Sequence, residues 1–182
     1  MSVRHDGARP IRVSEDEAEE VARQATVESG LDDRPRCDPR TLAVSYLGLR
    51  LAPLPGMRPR LESGIVWYPS DAPPDAIAYY VAHECGHELV RTERLRGDVL
   101  ERVCSRIGCA LLLPRRAFVR DVRATRGDVD ALRALWPLAS REVIRRRLRE
   151  VGYGTAHAAL MHSSPAAASH VTPHPPQFIG SE

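Results

Sequence analysis

The sequence predicts an α+β fold, mostly helical, with two or three short strands ahead of its central helix. Helix signatures recur through the first 153 residues: a capping residue, then apolar positions three and four apart, then a Gly or Pro stop. Between them, "LRLAPLP" and "SGIVWYP" are short runs with β-branched and aromatic residues bounded by Pro and Gly, which read as strands. At 182 residues with 43% hydrophobic content, the chain can bury one core, which suits a single compact domain with appendages.

Taken in order, Ser14 and Glu17 form a capping box for an acidic helix running to about Gly30, its acidic run a solvated face. Asp38 and Pro39 suit the cap and first turn of a short helix, "RTLAVSYLG", that stops at Gly48. After the strands, Pro73 and Pro74 stand near the start of a helix carrying "YYVAHECGHELVR", which ends around Arg91. "TERLRGD" makes a turn, with Gly97 as breaker and Asp98 capping a helix from about 98 to 112, closed by Pro114. Three further short helices follow in "RAFVRDVRA", "DVDALRALW" and "SREVIRRRLREVG", the last capped by Ser140. From Gly154 the chain is rich in Ala, Ser, Pro and His without periodicity, the composition of a disordered tail. The expected division is therefore 1–36 (acidic helix and linker), 37–122 (core), 123–153 (helix-turn-helix-like subdomain) and 154–182 (tail).

Composition excludes several function classes. Twenty-six basic against 24 acidic residues, a net charge of +2, is too balanced for a protein built chiefly around polyanion binding. No apolar run approaches the roughly 18 residues of a membrane span, and the first residues are polar, so a cytoplasmic protein with no membrane partner is expected. Cys37, Cys85, Cys104 and Cys109 show no CxxC spacing, so reduced thiols are expected.

The chemistry concentrates in His83-Glu84-Cys85-Gly86-His87. With 7 His and 13 Glu in 182 residues, His-Glu-x-x-His is expected by chance roughly 0.02 times. Residues four apart share a helix face, so His83 and His87 can direct ring nitrogens at one ion. Glu84 lies about 100° round the helix, beside that ion, where a general base belongs. Ala78, Ala82, Cys85 and Leu89 on one face, and Ala76, Tyr79 and Val90 on the other, make the helix apolar nearly all round and therefore buried. Burying two imidazoles and a carboxylate without partners costs several kcal/mol, which metal coordination would offset.

Zinc needs a third protein ligand and an open position. The candidates are Glu88, Glu93, Asp98, Glu101 and the tail histidines His157, His162, His170 and His174. Glu88 points about 100° away from the histidine pair, Glu93 falls in the turn, and the tail lacks helical support. Glu101, about a turn into the second helix of a hairpin, comes level with His87 and borders the apolar stripe Leu100, Val103, Ile107 and Leu111. Gly108 on its face would let the helices approach closely. The competing reading is that Asp98 and Glu101 form only a capping box.

These two blocks resemble the ImmA/IrrE family of intracellular metallo-endopeptidases. "HECGH" matches the family's His-Glu-x-Gly-His helix, which follows a short antiparallel sheet, and "ERVCSRIGCALLLP" matches its Glu-x-x-Ala-x-x-Phe-Ala-x-x-Leu-Leu-x-Pro helix. The resemblance places Glu101 on the third zinc ligand, Cys104 on the small residue, Ile107 on the aromatic, and Leu111, Leu112 and Pro114 on the closing motif. It extends in looser form over about 38–152. The link from His87 to Glu101 is short, Cys85 stands where a larger apolar residue is usual, and Ile107 replaces the aromatic; none of these removes a ligand or Glu84. Peptide deformylases share His-Glu-x-x-His, but "RPRCDPR" around Cys37 lacks their Gly-Cys-Leu setting.

The resemblance implies a zincin-like core, zinc held by His83, His87 and Glu101, Glu84 as catalytic base, and cleavage of a helix-turn-helix transcriptional repressor that relieves repression of stress or mobile-element genes. Tyr80 is a candidate oxyanion donor, the competing reading being a packed aromatic. The strand "GIVWYP" is expected to take an extended peptide by edge pairing. Arg141, Arg145, Arg146, Arg147 and Arg149 on the last helix raise a DNA-reading role, against which a helical subdomain packed on the core with a solvated basic face is preferred. The rival from another class is a non-proteolytic regulatory protein with a structural zinc site, binding DNA or a partner through those basic helices.

Overall fold

A computed structural model describes residues 15–31, 38–90 and 97–153. The expected Ser14 cap, Cys37, the turn holding Glu93, and the whole tail with its four histidines lie outside these residues. The described chain is α+β, with helices on one small sheet, and none of its helices is long and apolar enough to cross a membrane.

Helix α1 (Glu15–Glu28) buries Ala18, Ala22 and Ala25, small residues at helical spacing that let it lie on α4 (Gly97–Leu112). On its outer side Glu20 pairs with Arg23. The Asp38 side chain caps α2 (Pro39–Thr41) by accepting from the Arg40 amide at 2.9 Å. The helix then widens into a π-helical turn, Leu42–Tyr46, and stops at Gly48, whose φ of +66° only glycine adopts without strain.

Three strands follow: β1 (Arg50–Pro53), β2 (Arg60–Glu62) and β3 (Ile65–Tyr68). Ser63 and Gly64 both take positive φ, 50° and 73°, the geometry of a two-residue turn that pairs Glu62 with Ile65. The expectation of an antiparallel sheet holds for that hairpin alone. Because β2 folds back along the far side of β3, β1 pairs with β3 in parallel and the order is β1-β3-β2. "GIVWYP" is therefore the central strand, with both edges taken, and cannot add a peptide. The two outer edges belong to β1 and β2.

Helix α3 (Pro74–Leu89) lies against this sheet and against α4, which together bury Val66, Ala78, Val81, Ala82, Cys85, Val103, Ile107 and Leu111. Each Val, Ile or Leu side chain among them contributes about 1.5–3 kcal/mol when removed from water, before entropy is counted. The remaining helices, α5 (Arg115–Thr125), α6 (Val129–Leu135) and α7 (Arg141–Glu150), gather Phe118, Val122, Leu132, Trp136 and Ile144 into the other end of the core. Asp128 caps α6 through the Ala131 amide at 2.8 Å, and Ser140 caps α7 through that of Val143 at 3.2 Å.

Candidate metal centre

The α3–α4 crossing sets the site. A side chain at Gly86 would meet the carbonyl oxygen of Cys104 at 2.9 Å, and one at Gly108 would meet the backbone nitrogen of His83 at 3.1 Å. Both contacts are to backbone, so the two glycines together fix how near the helices come. The role expected of Gly108 is met, and Gly86, the fourth letter of "HECGH", shares it. Cys85 turns the other way, its thiol 3.9 Å from the Pro39 carbonyl oxygen on α2.

This approach brings the three expected ligands together. Nε2 of His83 lies 3.2 Å from Nε2 of His87 and 3.2 Å from one carboxylate oxygen of Glu101, whose other oxygen lies 3.5 Å from His87 Nε2. Metal–nitrogen bonds of about 2.0–2.1 Å in a tetrahedron set ligand atoms about 3.3 Å apart, which the two 3.2 Å separations from His83 Nε2 match, while one atom from each of the three residues lies within 4.8 Å of the others. These residues are the group able to hold a metal ion among the described residues. Glu88 and Asp98 are not part of it. Glu101 faces the histidines across the cleft, which favours the ligand reading over the capping box.

Electrostatics prepare the same atoms. Burial, and then the neighbouring His87, push the His83 pKa below its ordinary value, while Glu101 opposes. The neutral imidazole is the form that binds metal. Glu84 is buried, 4% exposed, and its carboxyl is raised to about 7 by burial first and the Glu101 charge second. A hydrogen bond from the Leu61 backbone on β2 works against that rise. The Cys104 thiol, next to Gly86, is pushed up to about 12 by burial, so it stays neutral.

The cleft in front of these groups holds about 580 Å3, and Pro59, Arg60 and Leu61 of the β2 side form one wall. Tyr79, Tyr80 and Ser105 line it as well. Tyr80 therefore faces the cleft as its expected donor role requires. Tyr79 and Ser105 were not singled out from the sequence for any role at the site, although Tyr79 stands four before His83 and Ser105 four after Glu101, the spacing of a shared helix face.

The α7 arginines are largely committed elsewhere. Arg147 is 2% exposed and ion-pairs with Glu19 and Glu150; Arg146 pairs with Glu150, and Arg141 with Asp130. Arg145 and Arg149 remain on the exposed face. No protein-family model matches the chain, and no curated protein matches it.

Proposed function

We propose that the protein is a cytoplasmic zinc endopeptidase of the ImmA/IrrE type, with a zincin-like core, that cleaves a helix-turn-helix transcriptional repressor. The observation that carries this reading is the convergence of His83, His87 and Glu101, with both Glu101 oxygens within 3.5 Å of a histidine Nε2, beside a buried carboxyl in an open cleft.

His83, His87 and Glu101 would hold the zinc. When bound, zinc supplies Lewis acidity, polarising a peptide carbonyl and making water acidic near pH 7. Glu84 is the proton carrier: its carboxylate takes a proton from the attacking water and delivers it to the leaving amine nitrogen. A carboxyl raised toward neutrality suits both halves of that task. The Leu61 amide orients Glu84 and leaves the outer edge of β2 beside the cleft, where an extended peptide can lie. Tyr80 supplies a hydroxyl for the carbonyl oxygen as it gains charge.

The rival reading, DNA binding through the basic helices, is disfavoured because Arg141, Arg146 and Arg147 are engaged within the protein. The test is purified protein with about one equivalent of zinc, incubated with the repressor encoded beside its gene. Glu84→Gln should keep the metal and lower cleavage about 10²–10⁴-fold. Undiminished cleavage by that variant would sink the mechanism, and salt-sensitive DNA binding without cleavage would favour the rival.

A further inference from the structure

His83 offers Nε2 to the ligand triangle and turns its other ring nitrogen toward α4. There Nδ1 lies 3.4 Å from the Ser105 hydroxyl oxygen. Ser105 also neighbours Tyr79, whose pKa burial raises and Ser105 lowers, and the Tyr79 hydroxyl oxygen accepts from Nη1 of Arg146 on α7 at 3.4 Å. Arg146 is itself held by Nε donating to Glu150 at 3.1 Å. All of these side chains are half-buried or better, so the contacts are partly shielded from competing water.

The direction of these bonds follows from the donors available. A guanidinium only donates, so the Tyr79 oxygen accepts from Arg146. For His83 to present a lone pair at Nε2, its proton must sit on Nδ1 and be donated to Ser105. Ser105, having accepted, still has its own proton to give to the Tyr79 oxygen. The tautomer that binds metal is therefore compatible with this chain of bonds, in which each hydroxyl oxygen can accept the bond offered to it.

We propose that Ser105, Tyr79 and Arg146 are positioning residues that transmit the docking of α7 to the metal centre, holding His83 in the ring orientation and tautomer that metal binding requires. The proposal rests on the metal reading above and adds to it that the helical segment at the end of the described chain controls how tightly the metal is held. A partner or substrate that displaced α7 from Tyr79 would loosen the first ligand without touching it.

The experiment measures zinc affinity of the full chain by competition with a chromophoric chelator, together with the cobalt(II) absorption spectrum and the melting temperature of the metal-free protein. Ser105→Ala should weaken zinc about 10–100-fold, the range for partners behind a ligating histidine. Arg146→Met and Tyr79→Phe should weaken it in the same direction and by less, with metal-free melting temperatures near wild type. Because the three act in series, Ser105→Ala/Arg146→Met should bind zinc as Ser105→Ala does, and Ser105→Thr and Arg146→Lys should restore most of the affinity. A wild-type protein that binds no zinc would overturn the metal reading and the chain with it. Wild-type zinc affinity in both Ser105→Ala and Arg146→Met would overturn the positioning chain and leave the metal reading standing, as would losses that simply add in the double variant.

Discussion

Arg147 and the His83–His87–Glu101 group both bring ionisable side chains of separate helices together, the first in the interior and the second at a cleft where the Glu101 side chain is 58% exposed, yet they differ in what balances them. Arg147 is a cation met on every side: Nε donates to the Leu113 carbonyl oxygen at 3.0 Å, Nη1 to Glu150 at 3.2 Å, and Nη2 ion-pairs with Glu19 of α1. The cluster joins α1, the end of α4, and α7, with Nη2 and the Glu19 oxygen it faces paired by charge and not by a hydrogen bond. In the cleft, two imidazoles and the carboxylates of Glu84 and Glu101 converge with no cation among the described residues paired to either carboxylate. Charge paired within a cluster serves architecture, whereas acceptors that converge without a paired cation suit a binding role.

The difference can be broken most sharply at Arg147. Arg147→Ala should cost about 3–5 kcal/mol in urea unfolding because it strands Glu19 and Glu150, while replacing all three by Met or Leu should recover most of the loss. Recovery would confirm a self-contained cluster; continued instability would tie Arg147 to something further. At the cleft the comparison predicts the opposite response. Zinc at about 100 times its dissociation constant should add roughly 2.7 kcal/mol to the wild type and almost nothing to Glu101→Ala.

A smaller effect probes the helix crossing that makes the triangle. Gly86→Ala gains about 1 kcal/mol of helix propensity but meets the Cys104 backbone, and overpacking of that kind costs about 1–3 kcal/mol. The net expectation is a loss of about 1 kcal/mol in thermal unfolding, with weaker zinc binding as α3 and α4 part. Stabilisation with unchanged zinc affinity would show that the close approach is not required.

The smallest effect is the pH signature of Glu84. Its carboxyl titrates at about 7 when folded against an ordinary 4.5, so the folded protein holds a proton between those values that the unfolded chain has released. Stability of the metal-free protein therefore falls through this term as pH rises across that window. His83, lowered, acts in the opposite sense below its ordinary value, so the clean readout is a difference. The melting temperature of Glu84→Gln relative to wild type should climb from pH 4.5 to 7, by about 2–4 °C for a term near 1 kcal/mol, and then level off.

What could be read from the sequence was whatever helical periodicity carries. His83 and His87 share a face by spacing alone, and the capping residues Asp38 and Ser140 stand where the helices begin. Glu101 was legible because α3 and α4 follow one another with a short link, so a hairpin geometry could be assumed. The sheet was less so: nothing local in "LRLAPLP" says that its partner is β3 in parallel, since that register depends on where β2 lands. Arg147 read as one of five surface arginines because its partner Glu19 lies near the other end of the chain. The Leu61 amide at Glu84 is backbone chemistry, invisible in any pattern of side chains.

The same contrast in chain distance carries over to the order of assembly. His83, His87 and Glu101 belong to consecutive helices, so closing the loop between them costs little entropy, whereas bringing Glu19 to Arg147 closes nearly the whole described chain. The ligand pair and its carboxylate can thus meet while the last helix is still free, and α7 arrives on a hairpin already formed. On the proposed Ser105–Tyr79–Arg146 chain, the docking of α7 would then also be the event that tightens the site.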